Sequence, residues 1–176
     1  VKLPSDVAAA VSLNAGRFGI DPLLVSAIVM KESGGNAWAW KPEPAFRYLW
    51  DVKTGSPFRV LTMQERVTEE APADFPCLAG DRDQEWWAQQ ASWGAMQVMG
   101  AVAREYGFRG DYLTELLSPG VGVEFGCRYL QRQLRRYAND LEPAISAYNA
   151  GSSTLSNHAD YVEPVLAFVE AFRRAG

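Results

Sequence analysis

The run Pro22-Leu23-Leu24-Val25-Ser26-Ala27-Ile28-Val29-Met30-Lys31-Glu32-Ser33, broken at once by Gly34-Gly35, decides how this chain is read. Asp21-Pro22 is a helix start, an N-cap followed by proline in the first turn, where a missing N–H leaves no hydrogen bond unmade. Leu24, Ala27 and Ile28 recur at helical spacing, and Glu32 follows Ile28 by one turn. A helix of the buried type therefore ends in a single carboxylate at its mouth. Burial penalises the ionised form and raises a carboxyl pKa, so such a group keeps a proton near neutral pH. A protonated acid facing a cleft is what cleavage of a glycosidic bond requires. For Glu32 alone the competing reading is a helix-end carboxylate in solvent, which is the commoner case. Segments further along the chain decide between the two.

Upstream, Ser5-Asp6 opens a helix with an apolar stripe of Val7, Ala10, Val11 and Ala15, ended by Gly16 and Gly19. Downstream, residues 34–61 are rich in Pro and Gly and read as mostly irregular, with a short helix at 45–50. Thr62-Met63-Gln64-Glu65 is a capping box and predicts a helix over 62–70. Pro72, Pro76 and Gly80 make another loop. The pattern turns helical from Asp81, passes through Glu85-Trp86-Trp87 and Ser92-Trp93-Gly94-Ala95-Met96-Gln97, and continues as a helix to Tyr106-Gly107. Asp111 caps a short helix ending near Leu117. Ser118-Pro119 opens a long one carrying Val123, Cys127, Leu130, Leu134 and Tyr137 at spacings of three and four. Its Gly120, Gly122 and Gly126 each cost about 1 kcal/mol of helix propensity, and close packing against another helix is the expected compensation. Helices over about 143–150, ended by Gly151, and about 159–174 complete the chain. No run reads as a strand, and β structure is expected only as a small hairpin within 43–80. The fold class is mainly α.

A chain of 176 residues is long enough for one domain with a full core. At 48% hydrophobic and 22% charged residues it is globular rather than disordered. No apolar run approaches a membrane span, and no cationic-then-apolar leader opens these residues, so neither a span nor an export signal is expected within them. The net charge of −4 is concentrated: residues 43–85 hold nine acids and five bases, and the rest holds twelve of each. Neither part is basic enough for a nucleic-acid partner. With one histidine, His158, and no CxxC pair, neither a metal centre nor a cofactor is expected. Cys77 and Cys127 permit one disulfide, which spacing alone does not establish.

Four segments stand in order: Glu32-Ser33, Gly94-Ala95-Met96-Gln97, Ala147-Tyr148-Asn149-Ala150-Gly151 and Tyr161-Val162. In this set the chain resembles the lysozyme-like lytic transglycosylases of the soluble lytic transglycosylase (SLT) type. That family carries Glu-Ser at a helix end, then Gly-Leu-Met-Gln, Ala-Tyr-Asn-Ala-Gly and a late Tyr-Val. Met96-Gln97-Val98-Met99 is similar to its Met-Gln-Leu-Met, and Gly126-Cys127-Arg128-Tyr129-Leu130 to its Gly-x-x-Tyr-Leu. Each motif alone is weak; their shared order is specific. The resemblance covers 20–34 and 92–168 and implies a lysozyme-like (SLT/goose-type) helical domain over 1–176. Ala95 stands where the family has Leu. Gly94 follows Ser33 by 61 positions, far more than in the usual catalytic domain, so an insertion is expected at about 36–90, at the cleft rim. The Ser92-Trp93-Gly94 form, with Trp86-Trp87 before it, looks like variants from bacteriophage cell-wall enzymes of the endolysin kind.

The resemblance implies peptidoglycan glycan strands as substrate, a monomer, and action at the bacterial cell wall, in the periplasm or delivered by a phage particle or lysis system. Glu32 would protonate the glycosidic oxygen after muramic acid and then take a proton from the muramic acid 6-hydroxyl, which closes a 1,6-anhydro ring. The substrate's N-acetyl group would stabilise the cation, a recognised exception to the two-carboxylate rule. Tyr148 is expected to hydrogen-bond Glu32 or the acetamide. Gln97 and Met96 are expected to line sugar sites, with core packing nearly equal for Met96. Ser33 either caps a backbone group near Glu32 or only ends the helix. Ser92 either sits beside the acid or is a plain N-cap. Asn149 contacts backbone or sugar, and Tyr161 walls the cleft.

Trp38, Trp40 and Trp50 are the better sugar-stacking positions, whereas Trp86, Trp87 and Trp93 read as core. Arg128, Arg132, Arg135 and Arg136 read as a solvated face whose charge suits adsorption to anionic walls. Two rivals stand beside this reading. A goose-type or phage muramidase hydrolyses the same bond with water. It needs a second carboxylate, about 6.5–9.5 Å from the acid in inverting enzymes, and the insertion offers Glu43, Asp51 and Asp83. A non-catalytic wall-binding or virion structural module is the other; Glu32, Gln97 and Tyr148 argue against it.

Overall fold

Helix α2, Pro22–Ser33, forms with the ends its sequence specifies. The Asp21 carboxylate accepts the Leu23 N–H at 2.8 Å. Gly34, in the left-handed region at φ 63°, closes the other end with its N–H on the Met30 carbonyl. Val25, Ala27, Ile28 and Val29 expose nothing, so the helix is enclosed rather than amphipathic. Its neighbours are α1, Ser5–Phe18, and α7, Glu163–Ala175; α5, Pro119–Arg136, packs on α1 and on α6, Leu141–Ala150. These helices build the main core. The molecule is known from a computed structural model that describes residues 2–68, 70–153 and 156–175. Among them, no helix is long and apolar enough to cross a membrane. The fold is mainly α, as expected.

A small amount of β structure interrupts the helices. Strands β1, Trp40–Pro42, β4, Ala91–Trp93, and β5, Val98–Met99, form an antiparallel sheet in the order β1-β4-β5. Lys41 pairs with Ser92, and Ser92 with Met99. These strands are two or three residues long, too short for an alternating pattern to announce them. The hairpin expected within 43–80 is β2, Trp50–Asp51, with β3, Ser56–Pro57. It takes the place of a helix at 45–50.

Among the described residues, 62–68 and 70, the helix expected over 62–70 does not form, although its capping box does. The Thr62 N–H donates to Glu65 Oε2 at 2.8 Å, and the Glu65 N–H to Thr62 Oγ1 at 3.2 Å. One turn follows and stops. Met63 and Val67 are 77% and 82% exposed, so no buried face sustains the nucleus. Glu65 is also held by Arg59, whose guanidinium grips Asp74 as well. The helix expected to run on to Tyr106 forms as α4, Gly100–Glu105, but the Ser92–Gln97 stretch before it belongs to a hairpin. The short helix ending at Leu117 is a tighter 3-10 turn, Leu113–Leu117.

Two glycines of α5 do allow close packing, though not against a helix. A Cβ on Gly122 would lie 2.3 Å from the Leu116 carbonyl oxygen, and one on Gly126 would lie 2.3 Å from the Met96 sulfur. The neighbours are the 3-10 turn and the β4–β5 connection. Cys77 and Cys127 are both free thiols.

Within the expected insertion, Leu49, Leu61, Ala71, Phe75 and Trp86 form a second apolar cluster, with Phe58 packed on it. Phe75 meets Phe58 and Trp86 edge-on at 5.0 and 5.1 Å. Helix α3, Arg82–Gln89, ties this cluster to the sheet and to α4. The tie is a buried ion pair, Arg104 Nε to Glu85 Oε1 at 2.9 Å and Nη2 to Oε2 at 2.7 Å. Arg104 also donates to the Phe108 and Gly110 carbonyls. Removing one member of such a pair strands a buried charge. Arg104→Leu is expected to cost about 3–5 kcal/mol by urea denaturation. Adding Glu85→Leu should recover part of that loss, because no unpaired charge then remains.

Candidate active site

The last turn of α2 delivers Glu32 to a cleft of about 490 Å³, shared with Lys41, Glu43, Ser92, Gln97, Tyr129, Tyr148 and Asn149. A larger groove of about 810 Å³ lies along α5, but no carboxylate lines it. The chemistry therefore points to the smaller cleft. Burial there raises the Glu32 pKa from 4.5 to about 7, against opposing pulls from the Tyr161 hydroxyl and the charges of Lys31 and Lys41. The Tyr161 hydroxyl donates to Glu32 Oε1. Tyr161 is presented by a π-helical turn, His158–Val162, in which the Val162 N–H reaches the Asn157 carbonyl five residues back at 3.4 Å. The Lys31 ammonium lies 5.8 Å from the centre of the same ring.

The opposite wall is the sheet and its turn, Gly94–Gln97. Gly94 has φ 72°, and a Cβ there would lie 2.4 Å from the Leu116 carbonyl oxygen, so only glycine fits. Gln97 also takes a positive φ, 48°, rare for a residue with a side chain. Its amide offsets the strain: Nε2 donates to the Ala39 and Gly94 carbonyls at 3.1 and 2.9 Å, and Oε1 accepts from Ser92 Oγ at 3.0 Å.

The residues singled out from sequence divide by where their polar atoms go. Tyr148 lines the cleft, but its hydroxyl donates to the Met96 carbonyl at 2.8 Å rather than to Glu32. Tyr161, expected only to wall the cleft, makes the bond to the acid instead. Ser33 Oγ donates to the Ala95 carbonyl at 2.8 Å, which pins the end of α2 to the turn. Ser92 sits mid-strand with its side chain toward the cleft, so it is not an N-cap. Met96 is fully buried and does not line the cleft. Asn149 lines it, with its Oδ1 accepting from Asn157 at 2.9 Å.

None of the three tryptophans favoured for sugar stacking lines the cleft. Trp40 pairs in register with Trp93 and meets its ring at 6.0 Å, on the sheet face opposite Lys41 and Ser92. Trp38 is 74% exposed, and neither it nor Trp50 lines the cleft. Trp86 and Trp93 are core, as expected, whereas Trp87 is 42% exposed.

Sequence reasoning did not single out Lys41, Phe46 or Tyr129 for the cleft. Tyr129 lay in the Gly-x-x-Tyr-Leu match, which was its one signal. Of the three carboxylates offered by the insertion, Glu43 alone lines the cleft, paired with Lys41. Asp51 accepts the Lys53 and Thr54 N–H groups in the β2–β3 turn, and Asp83 lies beside Arg82 in the first turn of α3.

A raised carboxyl pKa is also a statement about stability. Between about 4.5 and 7 the folded chain holds a proton that the unfolded chain has released, so stability falls as pH rises through that window. Glu32→Gln keeps an acceptor for Tyr161 and removes the burial of charge. At pH 8 the variant is expected to be more stable than the parent by about 1–3 kcal/mol, with the gain vanishing near pH 4, as read by denaturant titration at both pH values.

Two comparisons bear on this geometry. The family model described as Transglycosylase SLT domain matches residues 10–164, which takes in Glu32, the Gly94–Gln97 turn, α6 and Tyr161. No solved structure matches the chain. With most of its length matched, and with the acid and its supporting turn inside that span, the chain belongs to the SLT transglycosylase domain family, lysozyme-like enzymes that cleave cell-wall peptidoglycan.

Proposed function

We propose that the protein is a lytic transglycosylase that cleaves the β-1,4 bond from N-acetylmuramic acid to N-acetylglucosamine and leaves 1,6-anhydro-muramic ends. The observation that carries this reading is the single acid whose pKa, raised to about 7, keeps it substantially protonated at neutral pH inside a cleft. Glu32 gives that proton to the glycosidic oxygen, and the N-acetylglucosamine departs as a 4-hydroxyl. The acetamide of the same muramic acid carries the positive charge at the anomeric carbon. The Glu32 carboxylate then takes the proton of the 6-hydroxyl, the oxygen closes on the anomeric carbon, and the acid is restored. An attacking hydroxyl tethered to the sugar competes with water through its high effective concentration. Tyr161 holds the carboxyl in orientation through both steps. Tyr148 acts at one remove, bracing the Met96 carbonyl in the opposite wall.

A second reading rests on Glu43. It shares the cleft with Glu32 and is therefore placed to position a water, which would make the reaction a hydrolysis. Mass spectrometry of the digestion products separates the two, because the anhydro end is lighter by one water. Anhydro ends should dominate, and Glu43→Gln should leave them dominant. Reducing ends as the main product, lost in Glu43→Gln, would establish the muramidase instead. In either case Glu32→Gln should cost about 10²–10⁴ in turnover with the circular dichroism unchanged.

Tyr161→Phe tests the other half of the constellation. The hydroxyl favours the ionised form of Glu32, so its removal raises the pKa further. The alkaline limb of the kcat/KM profile, which follows loss of the proton from Glu32, should move to higher pH. A shift to lower pH, or none, would show that Tyr161 does not tune the acid.

A further inference from the structure

Arg128, Arg132, Arg135 and Arg136 recur at spacings of three and four along α5, and with Phe18, Tyr106 and Gln131 they line the groove of about 810 Å³. The chain carries a net −4, so this concentration of guanidinium groups runs against its average. Nearby carboxylates offset only part of it. Glu124 pairs with Arg128 at 2.7 Å and with Arg17 at 3.3 Å, and Glu105 acts on Tyr106. Among the described residues Arg132 and Arg135 form no ion pair. Arg132 lies over the Tyr106 ring at 5.8 Å, and both guanidinium groups are exposed.

The groove adjoins the cleft at two places. Tyr106 packs edge-on against Tyr129 at 5.6 Å, and Tyr129 lines the cleft. Arg136 Nη1 donates to the Gly151 carbonyl at 3.5 Å, and Gly151 lines the cleft as well. The groove and the cleft thus share a boundary formed by Tyr106, Tyr129, Arg136 and Gly151.

We infer that this groove binds the carboxylates of the peptide branches that peptidoglycan strands carry on muramic acid, as an anionic side site continuous with the cleft. The inference rests on the peptidoglycan reading under Proposed function. A planar guanidinium matches a carboxylate with two parallel hydrogen bonds, and an arginine without a partner is free to do so. Each exposed pair contributes little, so the effect comes from several acting together and weakens with salt. An apolar peptide would have no use for the unpaired charges. A phosphate polymer would match the charge but need not be attached to a strand in the cleft.

Binding tests this without turnover. Glu32→Gln protein is titrated with glycan strands bearing their peptides and with strands stripped by an amidase, each with and without Arg132→Gln and Arg135→Gln together. Peptide-bearing strands should bind about three- to tenfold more tightly than stripped ones. The double substitution should abolish that difference while leaving stripped strands unaffected, and salt raised from about 0.05 to about 0.5 M should do the same. Equal affinity for both strands, or an equal loss on both, overturns the inference. So does a loss confined to a poly(glycerol phosphate) probe, which assigns the groove to phosphate polymers. Failure of both strands to bind overturns the peptidoglycan reading with it, whereas failure of the groove alone leaves both strands bound with equal affinity.

Discussion

The seating of one turn, Gly94–Gln97, fixes the positions of the groups that meet in the cleft. Its carbonyls are buried, and buried carbonyls must find donors. Ser33 at the end of α2 supplies one to Ala95, and Tyr148 on α6 supplies another to Met96. The Gly94 N–H reaches back to Ala39 at 2.8 Å, just before β1. Gly126 on α5 makes room for the Met96 side chain. The end of α2 with the approach to β1, and helices α5 and α6, all remote from the turn in sequence, thus acquire set positions through a single connection. Any widening at Gly94 would strike the Leu116 carbonyl, shift the turn and, through Ser33, disturb the carboxylate next to it.

That carboxylate is held between opposing forces. The apolar helix that carries it strips water from it and raises its pKa, while Tyr161 and the cations Lys31 and Lys41 restrain the rise. In the proposed reaction, a carboxyl at 4.5 would have little proton to give at neutral pH, and one raised much higher would be a poor acceptor for the second transfer. A value of about 7 suits both directions of proton transfer. The unfavourable burial of charge above that pH is offset by the core into which Leu24, Val25, Ala27, Ile28 and Val29 of α2 are buried.

The features legible in the sequence were those with local causes. Asp21-Pro22 and Gly34 bound α2, the stripe of Val123 to Tyr137 marks α5, and Gly151 closes α6, each through contacts within a few residues. Glu32 was legible because the helix bearing it is apolar throughout. Partners that depend on tertiary placement were not. Tyr148 and Tyr161 carry the same hydroxyl, and nothing in their spacing says which reaches Glu32. The choice is made by a π-helical turn that no pattern signalled. The capping box at Thr62 failed for the converse reason: its local bonds formed, but no apolar face was there to prolong the helix. The short strands escaped because their pairing, not their composition, defines them.

The segment after α2 contributes more than a rim. Its opening residues make β1, and through the pairing of Lys41 with Ser92 they build the wall facing Glu32. That wall carries one cation, Lys41, and one anion, Glu43, bound to each other. The cation restrains the pKa of Glu32, and the anion lines the same cleft. Strand β1 and the residue that follows it thus set the charges that face the acid. The rest of the segment supports this strand with its own apolar cluster and the buried Glu85–Arg104 pair. The chemistry at Glu32 is therefore coupled to the stability of residues far outside the matched motifs. A change in that second cluster would be felt first in β1, whose Lys41 restrains the pKa of Glu32.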